Sequence, residues 1–88
     1  MMLDTALCLE RFAWFAGRHA DLSVANLALA CEPAYVAVRN RFSSTLTETV
    51  TCSDEGVFVT SWGYRLGSTD DVEGAAARLA FLLAALPA

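Results

Sequence analysis

The feature that most narrows the fold is the run Thr45 to Cys52, in which threonine recurs at every second position. In extended backbone, successive side chains point to opposite faces. Thr45, Thr47, Thr49 and Thr51 therefore form one β-branched polar row, and Leu46, Val50 and Cys52 point the other way. A strand with one polar and one apolar side suits an antiparallel sheet covered on one face. Ser53-Asp54-Glu55-Gly56 reads as a four-residue hairpin loop, and Val57 to Leu66 returns as the partner strand, with Gly63 marking a bulge or bend.

Two further strands precede this hairpin. Tyr35 to Phe42 alternates, with Val36, Val38 and Phe42 inward and Tyr35, Arg39 and Arg41 outward; Ser43-Ser44 form the next turn. Asn26 to Cys31 places Leu27, Leu29 and Cys31 on one side, and Glu32-Pro33-Ala34 reads as a tight turn. An alternative keeps residues 22–31 helical and leaves three strands.

Both ends read as helices. From Leu3 to Ala20, a step of 100° per residue puts Leu9, Phe12, Ala13, Ala16 and Ala20 on one face. Asp4, Arg11 and Arg18 make a polar stripe opposite. Leu3, Leu7 and Trp14 form a second apolar stripe to one side, interrupted by Glu10, and Cys8 and Phe15 lie on the other. Asp4 or Thr5 caps the start, and His19 suits the negative pole at the end. The second helix runs from Asp71 to Leu86, with Asp70 and Glu73 as a capping pair and Pro87 as the stop. Its core stripe is Val72, Ala76, Leu79, Leu83 and Leu86. The opposite face carries Gly74, Ala77, Phe81, Ala84 and Ala85, almost without charge.

The expected fold is thus a single α+β domain over residues 1–88: a helix, a four-stranded antiparallel meander and a second helix, in two layers with both helices on one sheet face. Composition now matters, because a chain of 88 residues that is 56% hydrophobic and only 18% charged has more apolar surface than one small core uses. Sixteen residues are alanine; all six basic residues are arginine, and lysine, isoleucine and glutamine do not occur. The net charge of −4 argues against a nucleic-acid partner, which needs a positive surface to displace phosphate counterions. The longest uninterrupted apolar run, Leu79 to Leu86, is far shorter than the roughly 20 residues that cross a bilayer. No positive segment precedes an apolar stretch at the N-terminus, so no secretory signal is expected. Cys8, Cys31 and Cys52 are odd in number and widely spaced, which fits reduced thiols in the cytoplasm.

No catalytic constellation, metal-type spacing or phosphate loop is visible, so neither enzyme activity nor a cofactor is expected. His19, the only histidine, lacks a ligand at metal-binding spacing. Phe58, Trp62 and Tyr64 share one side of the last strand, either as core aromatics under the helices or as an exposed stacking row. Arg39, Arg41 and Arg65 are the candidates for a polar site on the open sheet face. Converging guanidiniums recognise a carboxylate or phosphate, giving a small-ligand or acidic-peptide module; the plainer alternative is pairing with Glu48 and nearby acids. The leading candidates are the surplus apolar residues Leu3, Leu7, Trp14 and Phe81, which point to a protein interface and a homodimer or accessory subunit.

At Val50-Thr51-Cys52, the acidic turn and Phe58-Val59-Thr60-Ser61-Trp62-Gly63, followed by an Ala-rich helix, the chain resembles small uncharacterised actinobacterial α+β proteins. That resemblance covers the C-terminal part of the chain and implies no activity and no functional residues. In element order alone, the helix–sheet–helix plan is similar to dimeric secretion-chaperone-like folds.

Overall fold

The computed structural model describes residues 4–43 and 46–85. Asp4 opens the first helix, α1 (Thr5–Arg18): its carboxylate accepts the Leu7 N–H at 3.0 Å and so satisfies one of the free donors of the first turn. At the far end the His19 N–H donates to the Ala16 carbonyl at 3.2 Å, and His19 Nδ1 accepts the Asp21 N–H at 3.1 Å. The only histidine is thus spent on ending α1 and turning the chain into the sheet.

Five strands follow: β1 (Leu22–Ala28), β2 (Tyr35–Asn40), β3 (Thr47–Cys52), β4 (Val57–Thr60) and β5 (Arg65–Ser68). They pair antiparallel in sequence order, and α2 (Val72–Ala85) closes the chain. The α+β class and the meander match expectation; the count of four strands does not. The run 57–66 is two strands, because the chain reverses at Ser61–Trp62. There the Gly63 N–H donates to the Thr60 carbonyl at 3.0 Å and the Thr60 N–H to the Tyr64 carbonyl at 2.9 Å. Gly63 has φ of 87°, a left-handed conformation that costs a glycine little. Alternation of Phe58, Thr60, Trp62 and Tyr64 continues straight through this turn, which is why periodicity alone hides it.

β1 also differs from the expected span, beginning at Leu22 and ending at Ala28 rather than running from Asn26 to Cys31, and the helical alternative for 22–31 is excluded. Leu22 and Val24 pair with Asn40 and Val38, a register shift follows between Val24 and Asn26, and Leu27 then pairs with Val36. The bulge changes the phase of alternation, so that Leu22, Val24 and Leu27 share the helix side despite their uneven spacing. On α2, Asp71 rather than Asp70 with Glu73 is the cap: its Oδ1 accepts the Gly74 N–H at 3.0 Å.

One core holds both helices to one sheet face. Leu9, Phe12, Ala13 and Ala16 from α1, and Val72, Ala75, Ala76, Leu79, Ala80 and Leu83 from α2, are buried together with Leu22, Val36, Val38, Val50, Phe58 and Leu66. The rings of Phe12 and Phe58 lie 4.8 Å apart, tying α1 to β4. α2 comes so close to β5 that a Cβ at Gly67 would stand 3.3 Å from Ala75 Cβ. No helix among the described residues is long and apolar enough to cross a membrane.

Two substitutions separate packing from backbone strain. Phe58→Ala empties the centre of the core and is expected to cost about 3–5 kcal/mol in urea denaturation. Gly63→Ala meets nothing within 4 Å, so only the left-handed backbone is penalised, by about 1–2 kcal/mol.

Candidate functional site

Among the described residues six large apolar side chains are exposed, and three of them, Leu7, Trp14 and Phe81, lie on the helices. Leu7 and Trp14 on α1 are 52% and 55% exposed, and Phe81 on α2 is 73% exposed. Leu3 lies outside the described residues. Each of these aromatics is exposed because the opposite side of its helix carries the core stripe. Trp14 is not loose: its ring meets Phe15 edge-on at 4.9 Å, and the Arg18 guanidinium sits 4.6 Å from its centroid, a cation–π contact.

Three shallow grooves run beside these residues. One of about 400 Å³ lies between the helices, where Trp14, Phe15 and Arg18 face Glu73, Ala76 and Ala77. A second, of about 430 Å³, separates α2 from the β4–β5 turn and is lined by Tyr64, Gly74, Ala77, Arg78, Phe81 and Leu82. The third, of about 400 Å³, lies between α1 and β1, lined by Glu10, Arg11, Ala13, Trp14 and Leu27. Leu27, 38% exposed on the outer strand, belongs to this surface. Small residues, Ala13 and Gly74 to Ala77, are what leave these grooves open beneath the larger side chains.

The three arginines do not come together. Arg41 lies past the end of β2, where its Nε and Nη2 donate to the Leu22 carbonyl at 3.3 and 2.9 Å, clamping the start of β1. Arg39 pairs with Thr47, and Arg65 pairs with Val59 opposite Thr51, so both point to the helix-free face. They stand three strands and four residues apart, about 20 Å at ordinary strand spacings. No single small anion spans that gap, and the face between them is Ala37, Thr49, Thr51 and Val59.

The aromatic trio divides as well. Phe58 is fully buried in the core. Trp62 is 57% exposed in the β4–β5 turn, and its ring lies 5.3 Å from Tyr64, which is half-buried. The indole is held by Glu48, the residue that sequence reasoning placed on the wrong surface. Glu48 pairs with Val38 and shares its helix side. Its Oε2 accepts Trp62 Nε1–H at 2.6 Å, and its Oε1 accepts the N–H groups of Ser61 and Thr49, both at 2.9 Å. The available signal was parity, since Glu48 falls in the row of Leu46, Val50 and Cys52. Burial opposes ionisation of this carboxyl, but the hydrogen bonds from Ser61, Trp62 and Thr49 outweigh it and hold the group below its ordinary 4.5. Phe42, expected inward, is 79% exposed beyond the end of β2, its N–H donating to Asn40 Oδ1 at 2.9 Å.

The cysteines are free thiols. Cys52 is pushed up to about 11 by burial and by its neighbours Cys8 and Asp54, which leaves it protonated and a poor nucleophile at neutral pH. Among the described residues, no group of three or more His, Cys, Asp or Glu side chains is arranged to hold a metal ion.

Glu48→Gln is expected to lower stability by about 1–3 kcal/mol at neutral pH, through lost charge-assisted bonds. Because the folded carboxyl is depressed, its contribution is complete above the unfolded value of 4.5 and disappears as pH falls through the folded one. Urea midpoints measured against pH should therefore fall less steeply below pH 4.5 in the variant than in the parent.

Comparison with protein-family models, with curated proteins and with solved structures finds no match for this chain.

Proposed function

We propose that this chain is a small cytoplasmic protein-interaction protein, which offers the outer surface of its helix layer to a protein partner as a homodimer or as the accessory subunit of a complex. The observation that carries the reading is the exposure of Trp14 and Phe81, one on each helix and each bordering a groove lined by small residues. Exposed tryptophan and phenylalanine beside a cleft have the form of interface anchors, since such rings bury large areas with little loss of side-chain freedom. The grooves themselves are shallow and open, which suits contact with another protein surface better than enclosure of a small molecule. The free state of all three cysteines suits a reducing compartment.

Native mass measurement of the purified chain is expected to give more than one chain's mass. In the paired variant Trp14→Ala/Phe81→Ala, circular dichroism should be unchanged while association weakens at least about 30-fold, as the loss of even one hot-spot side chain would require. A parent that stays monomeric up to high protein concentration and carries no second protein would overturn the reading.

A further inference from the structure

The outward stripe of α1 has an internal symmetry. Leu7, Glu10, Arg11 and Trp14 are all exposed, and their i, i+3, i+4, i+7 spacing puts them on one side of the helix. A two-fold axis running beside α1, perpendicular to it and level with the point between residues 10 and 11, near the middle of Thr5–Arg18, sets Leu7 of one copy against Trp14 of the other and Glu10 against Arg11. A surface that pairs with its own copy must complement itself in this way. A helix docked in parallel would instead set Glu10 against Glu10 and Arg11 against Arg11.

We infer that the partner of the helix layer is a second copy of this chain, docked through antiparallel contact of the two α1 helices about that axis. The inference rests on the reading of the helix layer as an interface and names its occupant. Leu7 of each copy enters the groove between α1 and β1 of the other, against Ala13, Trp14 and Leu27. Glu10 and Arg11 form two equivalent ion pairs at the centre. The stacking of Arg18 on Trp14 holds that ring in place before docking, so less freedom is lost on association. The bulge in β1 between Val24 and Asn26 interrupts the sheet edge beside α1, which favours helix contact over addition of a further strand on that side. A helix of 14 residues is about 21 Å long. A contact of that length lies at the small end of specific interfaces, below about 1,200 Å² in total, so the dimer dissociates on dilution.

Sedimentation equilibrium over a wide concentration range tests this on the intact chain. The parent should show a reversible monomer–dimer equilibrium. Glu10→Arg and Arg11→Glu should each weaken it about 10-fold or more, since each replaces two opposite-charge contacts with two like-charge contacts. The double variant Glu10→Arg/Arg11→Glu should return to within about threefold of the parent, a recovery that general damage to the helix cannot produce. Circular dichroism should be the same for all four proteins, because both residues are exposed. A monomer at every concentration overturns the inference, and so does a double variant as weak as either single one. A chain that dimerises without regard to these charges, or that is monomeric but binds another protein through Trp14 and Phe81, overturns self-pairing through α1 while leaving the interaction reading intact.

Discussion

The contact on which the molecule depends is that of Phe12 with Phe58, two fully buried rings 4.8 Å apart. It seats α1 on the sheet and, with it, fixes the rotation of that helix about its axis. Once Leu9, Phe12, Ala13 and Ala16 face the strands, Leu7, Arg11 and Trp14 have nowhere to point but outward. The same reasoning holds for α2, where Leu79 and Leu83 turn inward and Phe81 is left in solvent. A second covering layer on the other sheet face would need a further apolar row, and Thr47, Thr49 and Thr51 do not supply one. The surplus apolar surface is therefore a consequence of how a single core is filled.

With few charged residues, much of the polar chemistry goes into the joints of the fold. Asp4 and Asp71 cap the helices, Arg41 clamps β1 to the end of β2, and Glu48 gathers two N–H groups of the β4–β5 turn and one of β3. Each of these groups satisfies backbone or indole polar atoms where regular structure begins or turns, exposed at the two helix caps and part-buried at Arg41 and Glu48. Arg11 and Glu10 on α1 are given no such structural duty by the bonds described above, and they stand at the centre of the stripe between Leu7 and Trp14. That contrast between charges used for architecture and charges offered on a surface is what gives the helix layer its functional interest.

Several parts of this arrangement could be read along the chain. The threonine row, the acidic hairpin loop and the two amphipathic helices follow from side-chain alternation and helical spacing, which are local properties. Trp14 and Phe81 stood out because each lies off the core stripe of its helix. The split of the last strand at Ser61–Trp62 did not show, because alternation continues through a turn that depends on Gly63 and on a glutamate 13 residues upstream of Ser61. Nor did the bulge in β1, since a one-residue phase change looks in the sequence like weak alternation.

What the sequence determined by itself is the class of structure: periods of two and of 3.6 residues select strands and helices, and one-sided apolar patterns select two layers. What only the tertiary structure decided is where the charged side chains end up. Arg41 is drawn to a carbonyl 19 residues away and Glu48 to the indole of Trp62, while Arg39 and Arg65 are held far apart on the open face. The physical reason is that hydrogen-bond partners of buried and half-buried groups are chosen by strand register and by turn geometry, which join residues distant in the chain, whereas periodicity reports only on near neighbours.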